Sequence, residues 1–323
     1  MTRNILLLAA LVCCFAIPLH AENLIIHEWG TFTSLQNEAG QAMRGIAEDV
    51  ETLPVFVRDL VQSSGGKGIP STMYPEVSMR LETPVVYFHL PKGSKPITLD
   101  FSATFNGGLI SQFYPGAEAN FRSDQIPALT PATVGTLTWQ RITVGTDKPG
   151  PQTNSHVWLA PRAVEAANIT ARSGESERYL FYRGVGQLDA PLRIVRNDGR
   201  VHIIPQAALK PDIPGGTSIP AMWYFSTDID GHCVYRTLPG IDLRGVSPLT
   251  TNADFTRDDV QSNDLQSLKA DMKKSLLSAG LFDDEAQAML NTWDEAYFKS
   301  PGTRLFFVVP EAWVNQHLPI RVS

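Results

Sequence analysis

Apolar and polar residues alternate along residues 97–105. Ile97, Leu99, Phe101, Ala103 and Phe105 are separated by Thr98, Asp100, Ser102 and Thr104. Successive side chains of a strand point to opposite faces, so this run predicts a strand with one dry and one wet face. Residues 84–90 read as a strand before it, and Pro91-Lys92-Gly93-Ser94-Lys95-Pro96 as the turn that joins the two in a hairpin. The same bias toward β-branched and aromatic residues marks residues 24–32, 135–144, 178–185, 221–226, 233–237 and 305–309. Within residues 192–204, Asp198-Gly199 suits a primed two-residue turn, which sets Ile194 opposite Ile203.

The period changes near residue 260. Leu265, Leu268, Met272 and Leu276 fall at helical spacing, with N-cap candidates at 262–264 and a stop at Gly280. A second stripe follows, formed by Ala286, Met289, Leu290, Trp293 and Tyr297, with Asp283 as its cap and Ser300-Pro301-Gly302 as its end. Residues 262–298 therefore predict an αα-hairpin enclosed by strands. The whole pattern predicts an α+β fold: mostly antiparallel β-sheet, sandwich-like, with the helix pair packed on it. No βαβ alternation of the kind that builds a parallel sheet is visible. Residues 34–75 and 241–260 read mainly as loops, and Ser63-Ser64-Gly65-Gly66-Lys67-Gly68 as a mobile one.

The N-terminus carries a different signal. Arg3 precedes an uncharged apolar run at 5–17, too short for a bilayer, where roughly 20 residues are needed. Pro18 closes it, and Ala21 offers a small residue before polar Glu22. Residues 1–21 are expected to be a cleaved signal peptide, leaving 22–323 as one domain in the periplasm or outside the cell. A lipid anchor at Cys13 or Cys14 is disfavoured because Val12 stands where a small residue is required. Cleavage leaves Cys233 as the remaining cysteine, so no internal disulfide forms and stability rests on the core. The net charge of −6 and the lack of a basic block argue against nucleic acid as a partner. The mature chain holds no further apolar stretch of membrane-spanning length.

Candidate chemistry lies at strand ends. His27 and Glu28 are adjacent, which on a regular strand sends them to opposite faces. Arg80 and Glu82 are two apart and share a face, ahead of Pro84. Tyr182 and Arg183 precede Gly184, and Arg304 follows Gly302. An arginine at such a position can hold an anion bidentately; the alternative is a structural ion pair. A polar site is expected from His27, Glu28, Arg80, Glu82, Tyr182, Arg183 and Arg304. No His-x-x-x-His or Cys-x-x-Cys spacing occurs, and Asp228-Ile229-Asp230-Gly231-His232-Cys233 lacks the length and final Glu of a calcium loop, so neither a metal nor a cofactor is expected. Gly-x-Ser-x-Gly and P-loop motifs are absent.

His27-Glu28-Trp29-Gly30-Thr31-Phe32-Thr33 resembles the opening block of a family of exported bacterial proteins of unestablished activity. Arg80-Leu81-Glu82-Thr83-Pro84, Leu180-Phe181-Tyr182-Arg183-Gly184, a helical block with Glu285, Ala286, Met289, Thr292 and Trp293, then Gly302-Thr303-Arg304-Leu305 and Leu318-Pro319-Ile320 are similar to its later segments. Asn106-Gly107-Gly108-Leu109 departs from the Phe-Pro-x-Gly turn expected there. The resemblance implies export and the extent of the domain, and carries no reaction. The expected function is binding of a small molecule or a protein outside the cytoplasm. The alternative is a hydrolase or lyase using His and carboxylate groups, to be separated by whether the candidate residues converge in one cleft.

Overall fold

Burial alternates residue by residue along Ile97–Asn106, with Leu99, Phe101, Ala103 and Phe105 all 6% exposed or less. The computed structural model describes residues 6–12, 24–46, 53–61, 74–262 and 264–323. Its strands are β1 (Leu6–Val12), β2 (Ile25–Gln36), β3 (Arg58–Asp59), β4 (Met79–His89), β5 (Ile97–Asn106), β6 (Gly108–Tyr114), β7 (Glu118–Ala119), β8 (Val134–Val144), β9 (Ile169–Thr170), β10 (Ser176–Glu177), β11 (Leu180–Gly186), β12 (Leu192–Asn197), β13 (Arg200–Pro205), β14 (Ser218–Thr227), β15 (Cys233–Asp242), β16 (Leu249–Asn252), β17 (Gly302–Val309) and β18 (Ile320–Val322). Helices are α1 (His156–Arg162), α2 (Arg257–Ser262), α3 (Leu265–Ser278), α4 (Asp283–Thr292) and α5 (Glu311–His317), with a π-helical turn at Asp294–Lys299.

The main sheet runs β6-β11-β4-β2-β1-β17-β14-β15, antiparallel except where β1 lies parallel to β17. A second layer contains β18-β5-β8 and the separate sheet β12-β13-β16. The two layers join where β6 and β8 make one parallel pair, Gly108 with Val134. A Cβ on the next residue, Gly135, would lie 2.8 Å from the Gly108 carbonyl, so that junction admits no side chain. Ile26, Phe32, Val86, Phe88, Leu305 and Phe307 of the main sheet pack with Phe101, Leu137, Trp139, Ile194 and Ile203 of the second layer. The opposite face of the main sheet, with Trp29, Val85, Tyr87, Phe181, Trp223 and Phe306, packs under α3, α4 and the π-turn. The chain is thus a mostly antiparallel, sandwich-like β fold with a C-terminal helical layer. No helix among the described residues is long and apolar enough to cross a membrane.

The Asp198-Gly199 turn forms with φ of 46° and 70°, and Ile194 faces Ile203. The helix pair forms as its stripes require. Asp264 caps α3 by accepting the Ser267 amide at 2.8 Å, Gly280 ends it with φ of 107°, and Leu268, Met272 and Leu276 are buried. In α4 the cap position is Phe282 rather than Asp283. The Phe282 ring makes no such cap, and the first-turn carboxylates close this end: Glu285 takes the Phe282 amide at 2.7 Å and Asp284 the Glu285 amide at 3.0 Å. After Thr292 the helix widens into the π-turn, which buries Tyr297 and Phe298 against the sheet.

The expected hairpin between residues 84–90 and 97–105 does not form. β4 pairs with β2 and β11, and β5 pairs with β8 and β18. Both faces of β4 are covered and both edges are occupied, so the segment after it carries the chain to the second layer. Residues 6–12, inside the apolar run read as a signal peptide, form β1 between β2 and β17; the expected cleavage point at Ala21 and the 63–68 loop lie outside the described residues. Helices α1 and α5 span 7 residues each, too short to show a helical period in the sequence. Fully buried Glu177 ties α1 down, accepting Arg162 Nε at 2.9 Å, Arg162 Nη2 at 2.6 Å and Trp158 Nε1 at 2.8 Å.

Candidate functional site

Strand alternation divides the predicted polar residues between the two faces of the main sheet. Ile26 and Val86 face the second layer, whereas Trp29 and Tyr87 face the helices. His27 accordingly points to the helical layer and Glu28 to the opposite core. Glu28 there accepts the hydroxyl of Tyr182, which is also fully buried. Burial pushes the Glu28 carboxyl up to about 7, against the lowering effect of the Tyr182 hydrogen bond.

His27 meets partners that are remote in sequence. Its Nδ1 lies 2.7 Å from Glu285 Oε2, and His89 Nε2 lies 2.8 Å from Glu285 Oε1. Register explains the pairing of the two histidines: His27 faces Tyr87 and Ile25 faces His89, so the two are diagonal neighbours on one face, with ring centroids 5.4 Å apart. Helix α4 lowers Glu285 onto them from its first turn, and the Phe282 ring packs on both imidazoles at 4.6 and 4.8 Å. Burial raises the Glu285 carboxyl. The hydrogen bonds of His27 and His89, the charge of His27 and the Phe282 amide overcome this and hold it at about 2. Glu285 is therefore an ionised carboxylate inside the protein.

Arg80 and Glu82 do come together, with Nη2 to Oε1 at 2.7 Å and side chains 13% and 12% exposed. A bulge between Trp29 and Thr31, where Gly30 meets Pro84, resets the register so that Thr31 faces Glu82 and Thr33 faces Arg80. Thr33 Oγ1 reaches Glu82 at 3.2 Å and Tyr297 of the π-turn at 2.7 Å. Arg183 lies on β11 over the Phe181 ring, 5.9 Å from its centroid. Arg304 is 2% exposed, donates from Nη1 to the Gly302 carbonyl at 3.1 Å and has no carboxylate partner among the described residues; burial lowers it to about 10. Glu28 and Tyr182 thus meet on one face of the main sheet, whereas on the other Arg80 pairs with Glu82 and His27 turns to Glu285.

Sequence reading did not single out the cleft at the loop end of the two layers, a volume of about 520 Å³. Asn106, Gln187, Gln206, Lys210, Gln316 and His317 contribute to its wall. These residues come from the β5–β6 turn, the segments after β11 and β13, and α5. Gln316 is fixed by the Asn106 amide, which donates to its carbonyl at 2.8 Å, and by its own Nε2 donating to Ala208 O at 3.1 Å. The His317 ring packs at a tilt of 43° on buried Trp313, with centroids 4.5 Å apart. Burial lowers the His317 imidazole, against the Asn106 carbonyl beside it; Nδ1 faces that carbonyl at 3.4 Å and Nε2 the Gln316 amide nitrogen at 3.3 Å.

Comparison with known proteins finds no matching family model, no similar curated protein and no similar solved structure.

Proposed function

We propose that this is an exported protein that binds a polar, hydrogen-bonding small molecule outside the cytoplasm, in the cleft walled by Asn106, Gln187, Gln316 and His317. The cleft carries the reading. Its volume of about 520 Å³ lies within the roughly 300–1,000 Å³ range of small-molecule sites, and its carboxamides and imidazole, beside the charged Arg44, Asp189 and Lys210, suit a polar ligand. The hydrolase or lyase alternative draws support from the His27–Glu285 pair. That pair faces the helical layer, whereas Trp313 of the cleft belongs to the core on the other side of the sheet. The exposed residue Ala208 allows the cleft to be plugged without removing a side-chain contact. Neutral polyols, saccharides and short amides that raise the melting temperature of the natural chain should fail to do so with Ala208→Trp. Stabilisation that persists in the plugged variant would place the ligand elsewhere and reject the reading.

Export is proposed on the pattern at 1–21 and on the family resemblance. N-terminal sequencing of protein recovered from the cell envelope or medium should begin at Glu22. A chain that begins at Met1, with β1 retained in the sheet, overturns the export reading; a lipid-modified start at Cys13 or Cys14 overturns the cleavage site.

A further inference from the structure

We propose that His27, His89 and Glu285 form a binding centre for one divalent ion of the zinc class. Each offers one ligand atom, Nδ1, Nε2 and a carboxylate oxygen, and the three atoms lie within 4.8 Å of one another. Two imidazoles and one carboxylate are the ligand set of open, four-coordinate zinc sites, in which a water or an exchangeable ligand takes the fourth position. A tetrahedral ion with bonds of about 2.0–2.2 Å holds its ligand atoms about 3.3–3.6 Å apart. The observed contacts, His27 Nδ1 to Oε2 at 2.7 Å and His89 Nε2 to Oε1 at 2.8 Å, run to the two different carboxylate oxygens and would have to open by about 0.5–0.9 Å to admit an ion.

Charge supports an ion as well as geometry does. Glu285 is 0% exposed, and no Lys or Arg pairs with it among the described residues. A buried carboxylate requires a compensating positive charge, and the two histidines supply that either as a shared proton or by holding a cation with it. The site is held from three directions, by β2, β4 and the first turn of α4. Phe282, 41% exposed, packs over both imidazoles, leaving the His89 side chain 12% exposed. This centre lies on the opposite face of the sheet from the cleft and stands independently of the ligand-binding reading.

A second group, Asp228, Asp230 and His232, also brings ligand atoms together, but all three are exposed on the β14–β15 turn. Their contacts are those of the turn itself, with Asp228 accepting the Asp230 and His232 amides at 2.9 Å each. That turn serves as the internal control.

The test uses the full chain, prepared without a histidine tag and stripped with a chelator. Calorimetric titration with Zn²⁺ should give one ion per chain, and Co²⁺ should produce the visible absorption of a four- or five-coordinate site. His89→Ala removes a partly exposed ligand and is expected to fold; it should weaken Zn²⁺ binding by about 100-fold or more and abolish the cobalt bands, as Glu285→Gln should wherever it folds. His232→Ala should change neither readout. Absence of one-to-one binding by the folded, tag-free chain, binding indifferent to His89→Ala, or binding lost with His232→Ala would each overturn the proposal. In the first case the three residues are a proton-bridged clamp that docks α4 on the sheet.

Discussion

Glu82→Gln should lower the free energy of unfolding by about 3 kcal/mol, the lower end of the range for breaking a buried ion pair. Arg80 and Glu82 meet at 2.7 Å with side chains 13% and 12% exposed, so water restores little of what the carboxylate supplies. The substitution keeps the shape and removes the charge. It also sets an amide NH₂ where a carboxylate oxygen accepts either the guanidinium or the Thr33 hydroxyl. Thr33 is in turn bonded to Tyr297, so the loss should extend to the anchoring of the π-turn. Urea unfolding of the variant should show a lower midpoint with an unchanged slope. A second variant separates charge from packing: replacing both residues together with apolar side chains of similar size should recover most of the loss, because no uncompensated guanidinium is then left behind. A loss below about 0.5 kcal/mol in Glu82→Gln, the size of an ordinary surface substitution, would show that the pair is not structural and would return Glu82 to the list of functional groups.

That Arg80 and Glu82 share a face was legible from their spacing alone, as was the separation of His27 from Glu28. Both follow from the two-residue period of a strand, which is a local property. The same period marks β5, while the helical period marks α3 and α4 from their stripes. Periodicity says which face a residue takes and is silent on which strand lies alongside. That is why the expected β4–β5 hairpin was wrong: a loop of suitable composition joins neighbours within a sheet and crossings between layers equally well. The partners of His27 were hidden for the same reason. Glu285 is 258 residues away and reaches His27 only because α4 folds back over the sheet. One local trace of it existed. A Glu three residues into an apolar helix, after a residue that cannot cap, marks a carboxylate drawn to the helix end. The cleft had no such trace, because its walls are segments remote from one another in sequence and a helix of 7 residues, which the fold alone assembles.

Glu28 should make the protein less stable as pH rises from about 4.5 to about 7, by about 3 kcal/mol relative to a chain without this carboxyl. The group is fully buried, and burial raises it from 4.5 to about 7 in the folded state. Below 4.5 both folded and unfolded chains carry the proton, and the contribution is fully present. Between 4.5 and 7 the unfolded chain releases the proton while the folded chain keeps it, so each step up in pH favours unfolding. Above about 7 both forms are ionised and the contribution is gone. Other groups titrate across this window, and the measurement is therefore a difference: chemical unfolding of the natural chain and of Glu28→Gln from pH 4 to 8, with chelator present so that His27 on the opposite face holds no ion. Glutamine keeps an acceptor for the Tyr182 hydroxyl, so the variant should be about as stable at pH 4 and should gain on the natural chain as pH rises. Tyr182→Phe removes the hydrogen bond that lowers the carboxyl and should shift the loss to higher pH. Parallel curves for the natural chain and Glu28→Gln would mean that Glu28 ionises like a solvated carboxylate and that the core around Tyr182 admits water.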